Sequence, residues 1–186
     1  MKPAPGKVRI IGGQWRGTRL DVPEVRGLRP TSDRARETLF NWLQPMLPGA
    51  RVLDLFAGTG ALGLEAVSRG AAHALLVERD PVLATALAAT ASRLPGGAAV
   101  EVRRADALQV LATAPSAPFD LAFVDPPFDD GLWPAVLAAL PRALAADAWL
   151  YVESRAGQPA LPGPDWQPHR ELCMRESHNA LYRRVG

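Results

Sequence analysis

The sequence predicts an α/β fold: a mostly parallel sheet of seven strands closed by an antiparallel C-terminal hairpin, with an N-terminal β-hairpin and helix ahead of it. Three observations predict it. Arg51-Val-Leu-Asp-Leu-Phe-Ala-Gly-Thr-Gly-Ala-Leu-Gly63 reads as a short buried strand and a glycine turn, and Leu62–Ser68 then reads as a helix. Short apolar runs recur at Ala74–Glu78, Val100–Arg103, Phe119–Val124 and Trp149–Glu153, separated by helical stretches, as parallel strands alternate with crossover helices. The last two strand-like segments, Arg170–Arg175 and Ala180–Arg184, are joined only by Glu176-Ser-His-Asn179. They must be antiparallel, because a parallel crossover needs about a dozen residues or more.

Taken in order, Lys7–Ile11, Gly12-Gly13 and Gln14–Val22 predict a β-hairpin turning at the two glycines. Leu20 and Val22 lie on one side of its second strand, Arg19 and Asp21 on the other. Trp15 beside Arg16 can stack on a base and hold a phosphate, or can lie as a lid on the core, and the sequence leaves both open. In Arg29-Pro-Thr-Ser-Asp33, Pro30 disfavours helix for Arg29, and Thr31 or Ser32 can cap the helix that Asp33 supports. That helix runs to about Gln44, with Ala35, Leu39, Trp42, Leu43 and Met46 facing the core and Arg34 and Glu37 opposite. Helices are also predicted from Pro81 to about Leu94, over Ala107–Thr113 and over Leu132–Leu144, while the Gly- and Pro-rich residues 156–168 predict a loop.

Charge is distributed unevenly. The chain of 186 residues carries a net charge of +2, yet residues 1–36 hold nine Lys or Arg against Asp21, Glu24 and Asp33, which leaves +6 there and −4 elsewhere. A basic end on a near-neutral chain is the footprint of a polyanion partner, with a solvated tail as the plainer alternative. Cys173 is the only cysteine, which excludes an internal disulfide and a cysteine-cluster metal site, and His73, His169 and His178 lack metal-ligand spacing, so no metal is expected. No apolar run reaches membrane-span length and no signal-peptide core opens the chain, which predicts a cytoplasmic protein without membrane contact. It is expected to act as a monomer.

The glycine turn is where chemistry enters. Strand, glycines and helix N-terminus let a ligand approach backbone N–H groups closely. Gly58-x-Gly60-x-x-Gly63 fits the dinucleotide fingerprint, with Glu78 about 20 residues on. Two features point elsewhere. Asp54 lies inside the strand, where a dinucleotide site keeps its wall apolar, and Phe56-Ala57 widens the turn. A buried acid there suits a ligand bearing positive charge, such as the amino group or sulfonium of S-adenosylmethionine.

Asp54-x-Phe-Ala-Gly-Thr-Gly60 resembles the first motif of S-adenosylmethionine-dependent methyltransferases. Joined to Arg29-Pro-Thr-x-Asp-Arg-x-Arg-Glu-x-Leu-Phe40, it makes nearly the whole chain similar to the RsmD-type 16S rRNA guanine 2-amino methyltransferases. The resemblance implies a Rossmann-like class I methyltransferase fold. It also implies one domain over residues 1–186, with 1–30 as a basic hairpin extension and 31–186 as the catalytic fold. It implies that S-adenosyl-L-methionine is held by Arg29, Thr31, Asp54, Phe56, Ala57, Gly58, Thr59, Gly60, Glu78, Arg79, Asp106 and Ala107. Read by itself, Glu78 at a strand end can accept from both ribose hydroxyls, and Asp106 can simply cap the helix that follows it.

Asp125-Pro126-Pro127-Phe128 is the most specific chemical motif. Two prolines directly after a buried strand fix the backbone and remove two N–H donors, leaving carbonyls free to accept. Exocyclic amino-methyltransferases use an acid or amide followed by Pro-Pro-aromatic, so the resemblance makes Asp125, Pro126, Pro127 and Phe128 the catalytic set. Arg9, Trp15, Arg16, Arg19 and Arg34 are the expected RNA-facing residues, and the expected partner is 16S ribosomal RNA or a small-subunit assembly intermediate. The competing readings are a DNA or protein amino-methyltransferase, a nicotinamide dehydrogenase resting on glycine spacing alone, and a non-catalytic ribosome-binding factor.

Overall fold

A computed structural model describes residues 8–23, 31–127 and 131–186. Its centre is a seven-stranded sheet. In chain order the strands are β3 (Arg51–Asp54), β4 (His73–Glu78), β5 (Val100–Arg104), β6 (Phe119–Val124), β7 (Leu144–Arg155), β8 (Trp166–Cys173) and β9 (Ser177–Arg184), and across the sheet they run β5-β4-β3-β6-β7-β9-β8. The first five are parallel; β9 is antiparallel to both neighbours. The chain steps outward from β3 to β4 and β5, then returns to β6 beside β3. That reversal opens a crevice at the carboxyl ends of β3 and β6.

Alternation along the strands feeds two cores. Val52, Leu76 and Phe123 join one apolar cluster, packed by α1 (Asp33–Leu43), α2 (Ala61–Ser68) and α3 (Pro81–Arg93). Leu53, Leu75, Val77 and Val124 join the other, beneath α4 (Ala107–Leu111) and α5 (Trp133–Ala139). Ser32 caps α1, its hydroxyl accepting from the Ala35 N–H at 3.2 Å. Among the described residues no helix is long and apolar enough to cross a membrane.

Several predicted elements differ in extent. The helix predicted over Leu132–Leu144 is α5 followed by a 3₁₀ turn at Leu140–Ala143, because Pro141 cannot supply the next helical N–H. β7 starts earlier and runs on two residues beyond Glu153 because β9 pairs with it through Arg155↔Ser177. The final hairpin turns at Met174–Glu176, closed by Met174 N–H to the Ser177 carbonyl at 2.8 Å, so Ser177-His-Asn179 belongs to β9. Residues 156–165 form a loop, but Trp166–Pro168, predicted as part of it, open β8, which ends at Cys173 and not Arg175, because β9 pairs with it from Trp166↔Arg184 onward.

The N-terminal ribbon corrects the reading of its glycines. β1 (Val8–Arg9) pairs antiparallel with β2 (Arg19–Leu20), but the chain reverses through linked turns over Gly13–Arg16 and Trp15–Thr18, not at a two-residue Gly12-Gly13 turn. These glycines press against the end of α2. A Cβ on Gly13 would sit 1.9 Å from the Ser68 carbonyl oxygen, Gln14 N–H donates to that oxygen at 2.7 Å, and the Ser68 hydroxyl donates to the Gly12 carbonyl at 2.6 Å. Trp15 is 3% exposed, its indole N–H donating to the Pro95 carbonyl at 2.9 Å, so its ring covers the core and cannot stack on a base.

Glu65 on α2 fastens this ribbon. Fully buried, its carboxylate accepts from the Ile11 and Gly12 N–H groups at 2.8 and 2.7 Å and from Arg69 Nε at 2.8 Å. Arg36 of α1, also fully buried, lies 3.7 Å from it, donates to the Arg9 carbonyl at 2.9 Å and reaches Asp33 at 2.6 Å. Arg36 is therefore a structural cation, withdrawn from the phosphate-facing role that its place in the basic leader suggested. Glu65→Ala should destabilise the protein by about 3–5 kcal/mol, the cost of stranding a buried partner charge, while Glu65→Gln loses less. Urea unfolding of both variants checks this, and a loss under 1 kcal/mol for Ala would remove Glu65 from that role.

Candidate active site

The crevice at the switch point is a cavity of about 600 Å³. The carboxyl ends of β3, β4, β6 and β7, the start of α1 and the turn between β8 and β9 all reach it. Asp54, Phe56, Ala57, Gly58, Thr59, Glu78, Arg79, Asp106, Ala107 and Thr31 line it, as do Asp125, Pro126 and Pro127. Arg29 and Phe128 lie outside the described residues. Gly60 stands just behind the wall as the N-cap of α2, with φ 78°, where a Cβ would come within 2.2 Å of Leu87.

Glu78 and Asp54 shape the glycine turn. Glu78 accepts from the Gly58 N–H at 2.9 Å with one oxygen and from the Asp80 N–H at 2.8 Å with the other, which holds the turn against the end of β4. A carboxylate offers about four acceptor positions, so room remains for a ligand's hydroxyls. Asp54 accepts from the Gly63 N–H at 3.1 Å, spanning from the central strand to the first turn of α2. Burial raises its pKa to about 7, with Glu78 adding to the rise and the backbone donors opposing it.

Asp106 caps α4, accepting from the Leu108 N–H at 2.9 Å, and it also lines the cavity.

At the other end of the cavity, Asp125 follows β6 and meets a residue that the sequence analysis did not single out. Val124 pairs with Val152, so Asp125 and Glu153 occupy the next step of adjacent parallel strands. Burial drives the Asp125 carboxyl well above the ordinary carboxylate range, helped by the charges of Glu153 and Asp54. Glu153 is also raised by burial, against hydrogen bonds from Thr31, Tyr151 and Ser177. In the sequence Glu153 closes the predicted strand Trp149–Glu153, but nothing there shows that this strand lies beside β6. Ser177, Met174 and Arg175 also line the cavity, although nothing in their sequence pattern marked them.

The RNA-facing set divides. Arg9, Arg16, Arg19 and Arg34 are exposed, and Arg34 lies among Thr31, Ser32 and Ala35, which line the cavity. Arg9 is shared with Asp33 at 3.5 Å. Trp15 leaves the set because it is buried.

A parallel sheet with an antiparallel last pair and an acid-rich cavity at its switch point defines a Rossmann-like methyltransferase. The chain belongs to the family described as Conserved hypothetical protein 95, whose model matches residues 8–183. Ribosomal RNA small subunit methyltransferase D of Escherichia coli (strain K12) is 46% identical over 183 residues, which is 96% of this chain and 91% of that protein. The solved structure of the Escherichia coli methyltransferase yhhF matches with TM-score 0.86 at 44% identity, over 97% of this chain and 99% of that one. A Salinibacter ruber RNA methyltransferase in complex with S-adenosyl-L-homocysteine shares the fold at 15% identity, with TM-score 0.61 over 84% of this chain and 94% of that one.

The burial of Asp54 has a measurable consequence for stability. Its folded-state pKa lies above the unfolded value of 3.8, so the folded chain binds the proton more tightly. This contribution to stability is full below pH 3.8 and is lost as pH rises through about 7. Asp54→Asn, which keeps an acceptor for Gly63, should therefore gain on the wild type by a few kcal/mol between pH 4.5 and 7.5, on the order expected from the shift. Denaturation of both proteins across that range measures the difference, and parallel pH profiles would refute it.

Proposed function

We propose that this chain transfers a methyl group from S-adenosylmethionine to the exocyclic 2-amino group of a guanine in 16S ribosomal RNA. It acts as a monomer in the cytosol, on the RNA or on a small-subunit assembly intermediate, with residues 31–186 as catalytic fold and 1–30 as basic extension. The observation that carries this reading is the meeting of Asp125 and the Pro126 carbonyl, at the end of β6, with the glycine turn across one cavity. The small-subunit methyltransferase at 46% identity supports the ribosomal substrate, and the neighbour bound to S-adenosyl-L-homocysteine supports the cofactor.

The residues present fit that cofactor. The cavity is within the usual range for small-molecule sites. Asp54 is a desolvated carboxyl whose raised pKa a neighbouring cation would lower again. Glu78 would hold the ribose, Asp106 and the Ala107 backbone the adenine, and the turn from Phe56 to Gly60 the remainder, with Thr31, Arg79 and Arg29 alongside. When bound, S-adenosylmethionine supplies an electrophilic methyl group on a sulfonium.

The protein's own work falls on the guanine nitrogen. Its lone pair is delocalised into the ring, which makes it a poor nucleophile. Asp125 and the Pro126 carbonyl each accept one N–H, and the lone pair then leaves conjugation. An acceptor pressed by two neighbouring acids and by burial favours N–H donors strongly, and this preorganisation supplies the catalysis. No strong base is needed, because the nitrogen becomes acidic only as its new bond forms, and it then releases one proton to water. Phe128 would stack on the base, which leaves its own stack to enter the pocket. Arg9, Arg16, Arg19 and Arg34 would hold phosphates, giving affinity with little sequence information.

Asp125→Ala should lower turnover by about two to three orders of magnitude, with cofactor and RNA affinity changed much less. Asp125→Asn keeps an acceptor oxygen and should retain more activity than Ala. Single-turnover methyl transfer at saturating RNA and cofactor separates these outcomes. Equal inactivity of the two variants would contradict the acceptor role, and near-wild-type turnover of Ala would contradict the site.

A further inference from the structure

We infer that Glu153 reads the N1–H of the target base and so selects guanine over every other nucleobase that carries an exocyclic amino group. This rests on the proposed guanine reaction and extends it from the reacting nitrogen to the base edge beside it.

Register places Glu153 beside Asp125 on adjacent strands, both line one cavity, and each is half-buried. Two acids so placed repel one another, and beyond pressing on Asp125 the second touches no reacting group in the transfer described above. Yet Glu153 is held firmly. Thr31 Oγ1 donates to its Oε2 at 3.0 Å, and the Tyr151 hydroxyl lies 3.3 Å from the same oxygen. That hydroxyl is itself held 2.7 Å from Asn179 Oδ1, and Asn179 donates to the Leu172 carbonyl and Ser177 Oγ. A half-buried carboxyl ordered by three strands and the start of α1 is placed for a partner.

The chemistry of the partner follows from counting donors. Guanine presents three N–H groups side by side, two on N2 and one on N1. Asp125 and the Pro126 carbonyl take the two on N2, and Glu153 is the adjacent acceptor for the third. Adenine and cytosine also carry amino groups, but the ring nitrogen next to each is an acceptor, which a carboxylate repels. A pair of neighbouring carboxyls plus a carbonyl therefore matches one base edge only. Bound guanine relieves the repulsion between the two acids, since each gains an N–H. A site built to hydrogen-bond one substrate group rejects analogues lacking it far more strongly than an apolar pocket can.

The test uses the full-length protein and ribosomal RNA carrying 2-aminopurine at the methylated position. This base keeps the 2-amino group but has an acceptor at N1. Wild-type kcat/KM should fall about a hundredfold or more on this substrate. Glu153→Gln, whose amide can turn an N–H toward a ring acceptor, should shrink the guanine-to-2-aminopurine ratio at least tenfold, and Glu153→Ala should bring it near one. A merely structural Glu153 would lower both activities together and leave the ratio unmoved, which would overturn the assignment. So would equal wild-type activity on the two RNAs, a result that needs no variant to fold. If the wild type methylates no guanine at all, the proposed function itself fails and this inference with it. A wild type active on guanine with an unmoved ratio removes only Glu153.

Discussion

The hydrogen bond from the Gly63 N–H to Asp54, at 3.1 Å, is the contact on which the site depends. It ties the end of the central strand to the first turn of α2 and fixes how the glycine turn faces the cavity. Gly63 has no room for a side chain, since a Cβ would lie 2.5 Å from Leu76 and 3.3 Å from the Asp54 carboxylate. Glu78 completes the arrangement by holding Gly58 from the next strand. The turn is thus braced from two strands, and each brace is an acid at a strand's carboxyl end. Acids in such places are costly to bury, and this site keeps them because they organise backbone N–H groups while leaving acceptor capacity toward the cavity.

The same device recurs across the sheet. Asp106 caps α4 while facing the cavity, and Asp125, one residue past β6, stands beside Glu153 of β7. Burial, helped by the charges of Glu153 and Asp54, raises Asp125's affinity for protons. A surface of acceptors at the end of a parallel sheet suits a ligand rich in donors and positive charge. The leader contributes the opposite sign, with Arg9, Arg16 and Arg19 exposed on a ribbon that Glu65 and Ser68 of α2 lock in place. One short helix therefore joins the two ends of the machinery: its N-terminus shapes the glycine turn, and its C-terminal half carries the ribbon.

Much of this was legible in the sequence, and the exceptions share a cause. Strands ending in acids, the glycine turn and the final antiparallel pair announce themselves through local pattern, and Asp54, Glu78, Asp106 and Asp125 converge as their strand ends require. What local pattern cannot reveal is a long-range partner. Gly12-Gly13 looks like a hairpin turn until Ser68, more than fifty residues away, is seen to need the space. Trp15 and Arg36 look like surface groups of a basic leader, yet one finds the Pro95 carbonyl and the other Glu65. Glu153 was passed over because its meaning comes from β7 lying next to β6, a neighbour relation that the chain order does not state.

The central claim is a reaction at one nitrogen of one base. Ribosomal RNA from cells lacking this protein should be incubated with the purified chain and S-adenosylmethionine labelled in its methyl group, then digested to nucleosides and mapped. The account predicts label in N2-methylguanosine alone, at a single position of the small-subunit RNA. Label in a methylated adenine or cytosine, or in protein, would contradict it.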